Sequence, residues 1–190
     1  MTTYRLFNNI HAYHEAFVDF RAMRRQFDDV KVWFSQKNEK ILDKLKTEWV
    51  PVDVKFESDS KDNRIPDVSV WNYSCLVLSE HAKQALDPVL KDIGEYLPLN
   101  GGFTLFNCLD SVGGDVLDQS KSSFKLESED SLHIPDKLTI LPEKIEGKVL
   151  FKPAFAHNSF LICQDEFKQL AERNQLGGVV FEENIAKMFL

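Results

Sequence analysis

Two stretches of this chain match each other position by position, and that likeness constrains the fold more than any other feature. Leu76-Val77-Leu78-Ser79-Glu80-His81-Ala82-Lys83-Gln84 corresponds to Leu161-Ile162-Cys163-Gln164-Asp165-Glu166-Phe167-Lys168-Gln169. Each opens as an apolar run of strand length, passes a polar cap position and an acidic residue, and continues as an amphipathic helix. Each is followed later by a Gly-Gly pair and another strand, at Gly101-Gly102-Phe103 and Gly177-Gly178-Val179. The spacers differ in length, which excludes an exact repeat. A strand–helix–strand unit used twice on a shared sheet accounts for the pattern, and so does chance likeness between two ordinary βα joints.

Around these joints the chain reads as mixed strands and helices. Residues 4–7 form a short strand ended by the turn-prone Asn8-Asn9 pair. Apolar residues recur at Phe17, Phe20, Met23 and Phe27, and this spacing predicts a helix over 14–27. A second helix is expected over 39–46. Val50, Val52, Val54 and Phe56 alternate with Pro51, Asp53, Lys55 and Glu57, a strand with one wet face whose Pro51 places it at a sheet edge or at its own start. Residues 57–66 form a polar surface loop. The apolar run 68–78 then leads into Ser79, whose hydroxyl suits a helix N-cap, with Glu80 at the positive end of the helix dipole. Asp87-Pro88 is expected to kink or restart this helix, and Gly94 to end it. Further strands are expected over 103–109, 122–126, 138–141, 148–152, 159–163 and 179–181. A helix is expected over 165–173 and a short terminal helix over 185–190. Ser79, Gly94, Pro98 and Gly177 are therefore structural positions, one cap and three turns. The expected fold is α+β: a mainly antiparallel or mixed sheet with two βα units and a helical N-terminal portion. Residues 1–190 read as a single domain, with an N-terminal subregion over 1–57.

Composition decides which functions are excluded. The 43% hydrophobic content and 15 Phe support a real core, because Phe carries much apolar area and no polar group. With 23 Lys plus Arg against 30 Asp plus Glu, the net charge of −7 repels nucleic-acid phosphates. The compact basic cluster Arg21, Arg24 and Arg25 is followed at once by Asp28 and Asp29, the pattern of an exposed, ion-paired helix face. An acidic surface instead suits a basic protein partner. Cys75, Cys108 and Cys163 lie far apart in apolar runs without zinc spacing, and read as buried free thiols of a reducing compartment. The opening residues carry no apolar signal segment and no stretch approaches membrane-spanning length, so the expected location is cytoplasmic, with no membrane partner.

No side-chain pattern specifies catalysis. His11 and His14 stand three apart with Glu15 beside them, which lacks the order and spacing of a zinc-protease helix and reads as a polar helix entry. Asp110, Asp115 and Asp118 flank the Gly113-Gly114 turn without the ligand order of a calcium loop, and fit a solvated acidic hairpin. As a partner-facing patch, these aspartates with Trp71 and Tyr73 form the expected binding face, aromatic anchors with a charged rim. Phosphate-loop, dinucleotide and nucleophile-elbow motifs do not occur, and no cofactor or metal is expected.

One resemblance gives these readings a direction. Asp67-Val68-Ser69-Val70-Trp71, Leu76-Val77-Leu78-Ser79-Glu80 and Gly94-Glu95-Tyr96-Leu97-Pro98-Leu99 carry it, with Leu105-Phe106-Asn107, Asp118, Ser120, Phe167 and residues 177–181. In order and spacing they resemble the immunity-protein eleven family of bacterial polymorphic toxin systems, first catalogued as a domain of unknown function. The resemblance spans a core over 67–181. It implies a cytoplasmic protein that binds and neutralises a cognate toxin, encoded by an adjacent gene, and it transfers no catalytic residues. Gln164 departs from the Ser or Thr expected at the second helix cap. The alternatives are a hydrolase-type enzyme using a carboxylate pair hidden by the fold, and a homo-oligomeric structural protein.

Overall fold

A computed structural model describes residues 2–26, 46–60, 62–72, 74–125 and 134–187. In chain order the elements are β1 (Thr3–Asn8), β2 (Glu15–Val18), α1 (Phe20–Gln26), β3 (Val54–Glu57), β4 (Val68–Trp71), β5 (Cys75–Leu78) and α2 (Glu80–Leu90). Then follow β6 (Gly94–Pro98), β7 (Thr104–Cys108), β8 (Ser111–Val112), β9 (Ser123–Lys125), β10 (Ile134–Lys137), β11 (Leu150–Pro153), β12 (Ile162–Gln164), α3 (Asp165–Arg173) and β13 (Val179–Glu182). The α+β class is as expected. The helical N-terminal portion is not: β1 and β2 dominate it, and its one described helix, α1, has seven residues. The helix expected over 39–46 lies outside the described residues.

The misread stretch has a local cause. Asp19 Oδ1 accepts the amide of Ala22 at 2.9 Å and so caps α1, while the residues before it extend as β2. Phe17 and Phe20, which gave the stretch its helical spacing, are both exposed, and Met23 alone of the three is buried.

Two sheets hold the molecule together. One has the strand order β4-β5-β7-β6, and the other β13-β1-β12-β11-β8. The first sheet is antiparallel throughout, and so are the β11, β12, β1 and β13 pairings of the second. Only the short β8 joins β11 in parallel.

These sheets contain the same unit twice. In the first copy, β4, β5, α2, β6 and β7 follow one another along the chain. In the second, β11, β12, α3 and β13 take the places of β4, β5, α2 and β6, and β1 takes the place of β7. Register supports the equivalence. Val77 pairs with Leu105, which pairs with Leu97; Ile162 pairs with Arg5, which pairs with Glu182. The likeness of the two βα joints in sequence is thus matched by a likeness of whole units. One detail of the sequence match shifts. Gly177-Gly178 leads into β13, whose counterpart is β6, so in register it matches the approach to β6 at Asp92-Ile93 rather than Gly101-Gly102. The latter pair, with both φ values at 82°, turns the β6–β7 hairpin.

The central core lies where the two units meet. Tyr4 and Leu6 of β1, Leu76 and Leu78 of β5, Leu86 of α2 and Phe167 of α3 belong to it. α2 runs to Leu90 with Pro88 inside its last turn, and Gly94 starts β6 instead of ending the helix. A Cβ on Gly94 would collide with the Phe106 ring and the Asn107 carbonyl, so that strand pair closes only with glycine. Each sheet also has an outer face with its own cover. The β2–β3 ribbon and α1 cover the first through Ala16, Val18 and Met23. Val116, Leu117, Ile140, Ile145 and Ile185 cover the second, over Phe151 and Ile162. Residues 138–141, expected as a strand, contribute a single bridge from Ile140 to Leu117.

Candidate functional site

Side chains at directly paired positions share one face of a sheet. On the outer face of the first sheet, Trp71 pairs with Cys75, Cys75 with Asn107, and Asn107 with Glu95. These four therefore form a row across all four strands, and every one is buried. β11 adds Lys152, whose side chain is fully buried. Lys152 Nζ donates to Asn107 Oδ1 at 3.1 Å, and Asn107 Nδ2 donates to Glu95 Oε1 at 3.1 Å. Glu95 Oε2 accepts the amide of Lys46 at 3.1 Å. A carboxylate and an ammonium are thereby bridged by one carboxamide in the interior, where an unsupported charge is costly.

Thiols border this cluster. Cys75 lies in the row itself, and burial raises its pKa against the opposing pull of Lys152. Burial pushes Cys108, next to Asn107 in β7, up to about 12. Cys163 is raised well above its ordinary value for the same reason. All three are held as neutral thiols at physiological pH, which removes their nucleophilic form. Chemically, the cluster orders charge: it joins β11 of one sheet to β7 and β6 of the other.

Of the residues expected at a binding face, the four described ones do not form one exposed patch. Asp110 is half-buried and ion-paired with Lys148, and its carbonyl accepts the amide of Lys152. Asp118 accepts the Ser120 amide and hydroxyl at 3.0 and 2.6 Å and pairs with Lys121 at 3.1 Å. These bonds hold its carboxyl below the usual carboxylate range. Asp115 is exposed in a 3-10 turn at Gly114–Val116. Trp71 is only 9% exposed and packs in the core beneath the β2–β3 ribbon, so its ring cannot anchor a partner. Large aromatic area at a strand end is claimed by the core here. Tyr73 lies outside the described residues.

The structural positions form a second node. Ser79 Oγ accepts the Ala82 amide at 3.1 Å and donates to Asp67 Oδ1 at 2.9 Å. The other Asp67 oxygen accepts the amide of Gly177 at 3.1 Å. One carboxylate therefore ties the cap of α2 to the entry of β13. Gly177 faces the Tyr13 ring so closely that a Cβ would overlap it. Pro98 ends β6, and its carbonyl accepts the Trp49 indole at 2.7 Å. At the second joint, Gln164 makes no cap; its side-chain Nε2 donates to Ile145 O at 2.8 Å instead.

A scan against protein-family models finds no match, and a search of curated proteins finds none either. Among the described residues, no three His, Cys, Asp or Glu side chains gather as a metal site would require. His11 is exposed, and His14 is tied by its backbone amide to Arg64 O at 2.9 Å. No helix among the described residues is long and apolar enough to cross a membrane.

Sequence reasoning missed the Glu95–Asn107–Lys152 cluster. Glu95 and Asn107 were visible as polar residues inside apolar strands, the one signal available. Lys152, 45 residues after Asn107, converges with them only through the packing of β11 against β7.

Proposed function

We propose that this chain is an immunity-type protein, a cytoplasmic binding module that neutralises a cognate bacterial toxin domain by covering it. The observation that carries this reading is where large apolar side chains stand in the open. Among the described residues these are Ile10, Phe17, Phe20, Val50 and Ile65, and all belong to the part of the chain before β4. Charged residues stand beside Phe17. On the outer face of the β2–β3 ribbon, Phe17 lies opposite Lys55, and Glu15 lies opposite Glu57. Like charges directly opposed across a ribbon are unfavourable in the free protein. An exposed ring set among charges matches the anatomy of protein-binding faces.

The proposed contact face thus moves from the turn around Asp115 to the layer of β2, β3 and α1. Asp110 and Asp118 are neutralised within the molecule, and Trp71 is core. The resemblance to the immunity family, resting on the residues that carry it, supports the same reading, and the net charge of −7 favours a basic partner. Co-expression with the product of the adjacent open reading frame tests it. The expected result is a co-purifying complex and restored growth, with Phe17→Ser weakening the complex about tenfold, or ~1.4 kcal/mol. A neighbour that is harmless without this protein would sink the reading.

A further inference from the structure

We propose that β1 is an exchangeable strand, and that the slot between β12 and β13 is an acceptor site for an extended antiparallel peptide whose native occupant is Thr3–Asn8. The comparison of the two units carries this. In the first unit the strand between β5 and β6 is β7, which follows β6 through the Gly101-Gly102 hairpin. In the second unit the equivalent place is taken by β1, which lies far earlier in the chain than β12 and β13. The two units have the same strand order, so the second is completed by a strand that is not contiguous with it.

The slot recognises its occupant in two ways. Ladders on both sides supply main-chain affinity, from Thr3, Tyr4 and Arg5 to β12 and from Arg5 to Asn8 to β13. Side chains supply selectivity. Tyr4 and Leu6 enter the central core, and the Arg5 guanidinium lies 4.0 Å from the centroid of the Phe160 ring. Asn8 clamps Val70, accepting its amide at 2.6 Å and donating to its carbonyl at 2.9 Å. Asp165 accepts the Thr2 amide at 2.8 Å and the Tyr4 hydroxyl at 3.2 Å. The ligand class is therefore an extended peptide with an aromatic and an aliphatic residue two apart, a cation between them and a carboxamide two further on.

The tether to β2 runs through exposed Ile10 and His11, where a cut would leave these contacts in place. A protease site inserted between Ile10 and His11, cleaved after the full chain has folded, tests the proposal. The cleaved protein should keep its circular dichroism and retain the strand, with a melting temperature that now depends on concentration. Under mild urea it should take up a fluorescent peptide of residues 2–10, and the peptide carrying Asn8→Ala should compete at least ~10-fold less well. Loss of native structure on cleavage, or failure to incorporate the labelled peptide, overturns the proposal. A circular permutant tests the unit equivalence separately. It links Leu190 to Thr2 by a Gly/Ser linker and opens between Ser60 and Lys61, so that β1 becomes the next strand in the chain after β13. It should fold with the native spectrum, and a permutant that does not fold also overturns the proposal.

Discussion

Asn107 shows how one residue can decide whether a buried cluster is stable. Its oxygen meets the Lys152 ammonium and its NH2 meets the Glu95 carboxylate, so Asn107→Leu removes both contacts at once. The expected loss is about 1–3 kcal/mol, read as a lower urea midpoint, because a buried donor and a buried acceptor each lose a hydrogen bond without regaining water. The thiols give a second expectation. Cys75, Cys108 and Cys163 are buried and protonated, so a thiol reagent at pH 8 should label the native protein only as fast as it opens, and all three promptly in denaturant. A third concerns acid. Lys187 and the Asn184 amide lower the Glu182 pKa; the Thr2 amide and Tyr4 hydroxyl lower that of Asp165. Groups with depressed folded pKa values stabilise the fold above their ordinary values, 4.5 for Glu and 3.8 for Asp, and that contribution is lost as pH falls through the folded values. Asp165→Asn should therefore melt lower than the parent at pH 7, with the gap closing as the pH falls below 3.8 and Asp165 itself protonates.

At the scale of elements, caps and glycines carry testable weight. Ser79→Ala should cost about 1–2 kcal/mol, since it removes both the Ala82 cap bond and a donor to Asp67. Calorimetry of the variant checks this, and an unchanged melting temperature would show the node to be redundant. The same elements show what was legible in the sequence. β5–α2 and β12–α3 were readable because acidic residue and apolar spacing agree within nine positions, with a true cap only at Ser79. The β2–α1 stretch was not, because Phe17 and Phe20 mimic a helical face while pointing outward, and only Asp19 marks the true helix start. The buried Glu95–Asn107–Lys152 cluster was illegible for another reason: no local rule connects a lysine in β11 to an amide in β7. The likeness of the two joints hinted at a repeated unit, but not that its second copy is completed by β1.

For the whole molecule, the binding reading predicts electrostatics as well as affinity. An acidic protein meeting a basic toxin should associate more slowly as salt rises, and the association rate between ~50 and ~500 mM salt, by stopped flow, measures this. A rate indifferent to salt would argue for apolar contact without charge steering. The placement of β1 has one more consequence, in time rather than in space. About 150 residues separate Asn8 from Ile162, and synthesis at about 5–20 residues per second leaves β1 roughly 8–30 s without its ladder partners. Until β12 and β13 emerge from the ribosome, Tyr4 and Leu6 can meet only the first unit's half of their core. The first described strand of the protein is thus among the last to find its place, and chaperone contact with that stretch in the nascent chain is where its folding is most open to failure.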